Sequence, residues 1–137
     1  MSQDIRYLEP GALVEVTTVT IGNRRLMRPS KKLNRIVVGV FGKAQREYEM
    51  TICDIKVMSS HYHALLQPRD AGHLAQFMNH VQTNLSKELG KLHKIKGPKL
   101  QSYRMVPVSD EEEAQVARLR YLISNDYASY CTSLVAG

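Results

Sequence analysis

The segment SSHYHALLQP carries two histidines one residue apart, His61 and His63. Side chains alternate across a β-strand, so in extended chain both imidazoles share a face and Tyr62 takes the other. Neutral imidazole is a common metal ligand, and two on one face can share an ion. Two donors do not complete a site. Further along, RLRYLISN places Tyr121 and Asn125 four residues apart, on one face of a helix and away from the apolar stripe of Val116, Leu119 and Ile123. Two imidazoles and an amide oxygen can hold a hard or borderline divalent ion. A phenol one turn away can attack a phosphodiester beside that ion. Taken singly, each feature has a plainer reading, as half-buried histidines and as incidental polar residues on a helix.

The elements that must position these groups follow from periodicity. Residues 12–21 are β-branched and partly alternating, a strand. Leu33, Ile36, Val37, Val40, Phe41 and Ala44 recur at three and four, an amphipathic helix over about 30–47 in which Gly39 and Gly42 suit close packing. Residues 49–58 alternate with a phase change near Asp54 and join the histidine strand through Ser59–Ser60 as a hairpin. Leu74, Phe77, Met78, Val81, Leu85, Leu89 and Leu92 stripe a long helix over about 71–94, on which His73 and His80 read as surface residues. Residues 101–108 suit a short edge strand because of Pro107. Ser109 with Glu112 forms a capping box at the start of the tyrosine helix. The order β-α-β-β-α-β matches the split β-α-β, or ferredoxin-like, pattern. The expectation is an α+β fold, an antiparallel sheet with helices on one face, plus a C-terminal helix carrying the tyrosine. All 137 residues are read as one domain.

Net charge is +6 and the pI about 9.4, which favours an anionic partner. Arg24, Arg25, Arg28, Lys31, Lys32 and Arg35 form one basic cluster; Lys87, Lys91, Lys94, Lys96 and Lys99 form another. The acids gather at Asp110–Glu113. No apolar run is long enough to span a membrane, and the first residues lack the apolar core of a signal peptide, so a cytoplasmic protein is expected. Two cysteines are too few for a disulfide framework, and no C-x-x-C suggests structural zinc.

With these residues in view, the chain resembles the single-tyrosine HUH transposases, and among them the REP-associated tyrosine transposases. The matching stretches are VMSSHYHALL, LAQFMNHVQTNLSKELGKL, GPKLQSYR and VSDEEEAQVARLRYLISN, in the family's order. The resemblance implies that His61, His63 and Asn125 bind Mg²⁺ or Mn²⁺. It implies that Tyr121 cleaves single-stranded DNA, leaving a 5′-phosphotyrosine and a free 3′-OH that later rejoin. Arg24, Arg25, Arg28, Lys31, Lys91, Lys94, Lys96, Arg118 and Arg120 are candidate DNA contacts. The partner expected is single-stranded DNA with a hairpin, bound by a monomer or a homodimer. The sequence departs from the family at Ser59–Ser60, where Pro-Asn is usual, at Leu100, where tryptophan is usual, and at Asn125–Asp126–Tyr127, where Asn-Pro-Val is usual. Two other readings compete. A silent nucleic-acid-binding domain of the same fold would tolerate loss of one of the four groups, yet all are present. A ferredoxin-like phosphoesterase would want a second H-x-[ST] segment, which the chain lacks. Tyr103, Tyr127 and Tyr130 are rival nucleophiles.

Overall fold

The computed structural model describes residue 8, residues 11–108 and residues 128–129. The expected tyrosine helix, with Arg118, Arg120, Tyr121 and Asn125, lies outside the described residues, as do Tyr127 and Tyr130.

Among the described residues, five strands and two α-helices follow in the order β1 (Val14–Val19), α1 (Lys31–Tyr48), β2 (Thr51–Met58), β3 (His61–Gln67), α2 (Ala71–His93), β4 (Arg104–Pro107) and β5 (Ala128–Ser129), with a short 3-10 turn at Ile21–Asn23. The strands lie in the order β4-β1-β3-β2-β5, and every pairing is antiparallel. The first four give the split β-α-β sheet that the sequence predicts. The fifth, a two-residue strand on the outer edge of β2, is an addition the sequence reading did not foresee.

Each helix starts on a side-chain cap. The Ser30 hydroxyl accepts from the Leu33 amide at 3.0 Å, and the Asp70 carboxylate accepts from the His73 amide at 2.7 Å. Both helices end on a left-handed residue that is not glycine, Glu49 and Lys94. The predicted stripes are the buried faces: Leu33, Val37, Val40, Phe41 and Ala44 from α1, and Leu74, Phe77, Met78, Val81, Leu85 and Leu89 from α2. They pack on Val14, Val16, Ile52, Ile55, Val57, Tyr62, Ala64 and Leu66 of the sheet in one core.

The phase change near Asp54 is a β-bulge. Ile52 pairs with Leu66 and Asp54 with Leu65, so Cys53 is the extra residue. The bulge lets Ile52, Ile55 and Val57 all face the helices although two of them are three apart. Two expectations need correction. His73 is buried, not on the surface: its Nε2–H donates to the Tyr48 carbonyl and its Nδ1 accepts from the Arg69 amide at 3.0 Å. It thereby satisfies a carbonyl at the end of α1. Gly39 is exposed, with open space where a Cβ would stand, and Gly42 is buried. Closer approach occurs at Gly90, where a Cβ would lie 3.1 Å from the Ile95 carbonyl oxygen and 2.9 Å from Lys99 Nζ. No helix among the described residues is long and apolar enough to cross a membrane.

Candidate functional site

β3 is a central strand, held by β1 on one side and β2 on the other. Alternation along it sends Tyr62, Ala64 and Leu66 toward the helices and His61 and His63 to the opposite face. The two imidazoles are neighbours there, with ring centroids 5.1 Å apart and planes at 87°. Both are partly buried. Burial holds the His61 imidazole below the ordinary histidine range, which keeps it in the neutral, ligating form.

Cross-strand register fills in the surroundings. Thr17 pairs with His63 and His63 with Lys56; Val19 pairs with His61 and His61 with Met58. Thr17 Oγ1 lies 2.9 Å from His63 Nδ1, and Glu15 Oε2 lies 3.5 Å from the same nitrogen. Ser60 Oγ is 3.4 Å from His61 Nδ1. Glu15, Asp54 and Lys56 are all buried on this side of the sheet. Glu15 and Thr17 did not stand out in the sequence as site residues. Their i, i+2 spacing within a predicted strand shows that they share a face, but only the register of β1 against β3 shows that it is the histidine face.

On the far face Tyr62 is locked. Its hydroxyl donates to Gln82 Oε1 at 2.6 Å, Thr18 donates to the same oxygen at 3.1 Å, and Gln82 Nε2 donates to the Gln101 carbonyl at 3.0 Å. Burial raises the Tyr62 phenol above the ordinary tyrosine range. The residue between the two histidines is therefore fixed to α2 and to the segment before β4.

The donor set suits a divalent ion in kind, since neutral imidazole is a common metal ligand, and an oxygen donor beside the pair would favour a harder ion such as Mn²⁺. It is incomplete in number. Among the described residues no group of three or more His, Cys, Asp or Glu side chains gathers as a metal centre. A further donor is needed, and the sequence candidate, Asn125, lies outside the described residues.

The two basic clusters meet at the hairpin end of β3. The Thr20 amide donates to Ser60 O and the Met27 amide to Ser59 O, each at 2.8 Å, which ties the loop after β1 to the β2–β3 turn. The Ile21 amide donates to Lys99 O at 2.9 Å and the Gln101 amide to Val19 O at 2.8 Å, which ties in the loop after α2. Arg24 bridges the two loops, donating to Ile21 O and Pro98 O. Its guanidinium is partly structural. Arg25, Arg28, Lys31, Lys94 and Lys96 are exposed, and Lys91, also exposed, lies 3.5 Å from Glu88. Leu100, at the position where tryptophan is usual, bridges to Thr20 and packs on the core. Tyr103, one of the other tyrosines, is largely buried, 7% exposed.

A sheet of order 4-1-3-2 with both helices on one face and an imidazole pair on the other defines a split β-α-β protein with a polar site on its central strand. The family model described as "Transposase IS200 like" matches residues 13–122, and the chain belongs to that family. No curated protein matches it. Among solved structures it is similar to a REP-associated tyrosine transposase bound to a REP hairpin, at 15% identity and a TM-score of 0.67, covering 91% of this chain and 72% of that one. It is similar to a putative transposase from Deinococcus radiodurans R1, at 16% identity and a TM-score of 0.60, covering 93% and 99%. It also shares its fold with tRNA(His) guanylyltransferase from Saccharomyces cerevisiae, at 12% identity and a TM-score of 0.59, covering 87% of this chain and 60% of that one. The last likeness shows that the fold alone does not set the chemistry.

Proposed function

We propose that this transposase cleaves and rejoins single-stranded DNA beside a hairpin, with Tyr121 as nucleophile and His61, His63 and Asn125 holding Mg²⁺ or Mn²⁺. The observation that carries the reading is the pairing of His61 and His63 on one face of the central strand, 5.1 Å apart between ring centroids. Two further observations support it. The basic loops converge at the same end of β3. The chain also rejoins the sheet at Ala128–Ser129, on the strand next to the histidine strand and three residues after Asn125.

A phenol with a pKa near 10 is a weak nucleophile at neutral pH. The Tyr121 oxygen attacks the scissile phosphorus, the P–O3′ bond breaks, and the 3′ oxygen leaves with a proton. The phosphotyrosine conserves the bond energy, and attack by a 3′-OH reverses the step. His61 and His63, with Asn125, would hold a divalent ion, which would supply charge neutralisation and orientation at the phosphate. Exposed Arg25, Arg28, Lys31, Lys94 and Lys96 contact the DNA backbone, with Lys91, Arg118 and Arg120 as further candidates and Arg24 acting mainly as a bridge between loops. The related REP-associated transposase is bound to a REP hairpin, in line with a hairpin substrate here.

The test is incubation of the protein with labelled single-stranded DNA carrying a hairpin, with and without Mn²⁺, followed by a denaturing gel. A metal-dependent covalent adduct that Tyr121→Phe abolishes is the expected result. An adduct that survives Tyr121→Phe and is lost in Tyr127→Phe moves the nucleophile. DNA binding with no adduct under any metal leaves a silent binding domain.

A further inference from the structure

Glu15 is a buried carboxylate, its side chain 8% exposed, with Oε2 3.5 Å from His63 Nδ1. Thr17 Oγ1 stands 2.9 Å from the same nitrogen. We infer that Glu15 is a positioning residue that holds His63 as its Nδ1–H tautomer, so that Nε2 carries the ring's lone pair. The inference rests on His63 being a ligand, as proposed above, for its functional meaning but not for its geometry.

The Thr17 contact alone leaves the tautomer open, because a hydroxyl can donate or accept. A carboxylate accepts only. At 3.5 Å it is too far for a hydrogen bond of ordinary length, but its field still acts across a partly buried site of reduced dielectric. That field repels a lone pair at Nδ1 and attracts an N–H. The Thr17 hydroxyl is then the acceptor of the Nδ1–H. Neutral histidine in water prefers the opposite form, Nε2–H, so the site reverses the default. A ligating imidazole backed by a carboxylate is both oriented and made more basic, and loss of such a partner weakens metal binding. Register explains why Glu15 reaches this place: it is one strand over and two residues from Thr17, which pairs directly with His63.

The test uses protein labelled with ¹⁵N in histidine and two-bond ¹H–¹⁵N correlation at about pH 8, where histidine is neutral. In the wild type, His63 should show a pyrrole-like Nδ1 and a pyridine-like Nε2. Glu15→Gln should move the population toward Nε2–H, whereas Thr17→Val should keep Nδ1–H. Amide spectra report whether each variant is folded, and the wild-type spectrum decides even if one is not. A wild-type His63 in the Nε2–H form overturns the inference. Manganese titration followed by electron paramagnetic resonance adds a second readout, with Glu15→Gln weakening binding roughly 10- to 100-fold. Weakened binding with an unchanged tautomer would make Glu15 a direct ligand and overturn the positioning role. A wild type in the Nδ1–H form that binds no Mn²⁺ supports the tautomer assignment and overturns the metal reading instead.

Discussion

The two faces of the sheet solve different problems with the same strands. On the helix side, β1, β2 and β3 present Val14, Val16, Ile52, Ile55, Val57, Ala64 and Leu66, closed over by α1 and α2. The other side carries Glu15, Thr17, Asp54, Lys56, His61 and His63, a concentration of polar groups, three of them buried. Burying ionisable groups carries a desolvation cost that even good pairing often only offsets, so this second face is a poor way to gain stability. The period-2 geometry of β3 lets one strand serve both: Tyr62 anchors it inward while its two neighbours in sequence face the site.

That contrast predicts where substitutions hurt. The largest stability effect belongs to the helix side. Phe77→Ala, which empties a fully buried site, should cost about 3–5 kcal/mol in urea unfolding. His61→Ala, on the other face, should cost under about 1 kcal/mol in the same assay yet remove the DNA adduct. Equal stability losses would erase the distinction between the faces.

Next in size is the polar anchor. Gln82→Leu leaves the buried Tyr62 hydroxyl without its acceptor and should cost about 1–3 kcal/mol. Adding Tyr62→Phe to it should recover part of that loss, and a double-mutant cycle reads the coupling. The Tyr62 phenol also has a pH signature. Its folded pKa is raised by burial above the unfolded value of about 10. Below that value the group has no effect on pH dependence. Above it the unfolded chain releases a proton that the folded chain keeps, so stability falls as pH rises past about 10. Tyr62→Phe should flatten that part of the curve, measured by denaturant midpoints between about pH 9 and 11.

The smallest effect is at the junction of loops. Replacing Arg25, Arg28 and Lys96 together by alanine should leave stability nearly unchanged. It should reduce the salt dependence of single-strand binding by about 2 in log–log slope. An unchanged slope would remove these residues from the DNA interface.

Much of this was legible in the sequence because it depends on local period. The helix stripes, the histidine pair on one face and the broken alternation near Asp54 are all one-dimensional patterns, and the last appears as the bulge at Cys53. What escaped depends on partners distant in sequence. His73 looks like a surface residue on α2 until the end of α1 arrives with the Tyr48 carbonyl. Gly90 gives no sign of its tight surroundings until the chain turns back at Ile95 and Lys99. The place of Glu15 beside His63 depends on which residues of β1 and β3 stand opposite each other. Nor did composition show that two basic clusters separated by more than fifty residues would share one end of the sheet.

The stitching of those loops has a consequence for how the surface can change. The bonds from Thr20, Ile21, Met27 and Gln101 run from backbone to backbone. Such bonds are indifferent to the side chains along the loops. Arg25, Arg28, Lys94 and Lys96 can therefore be exchanged for other residues while the frame beneath them keeps its shape. Such a junction separates shape from surface chemistry: its exposed side chains are open to substitution while the backbone beside His61 stays where it is.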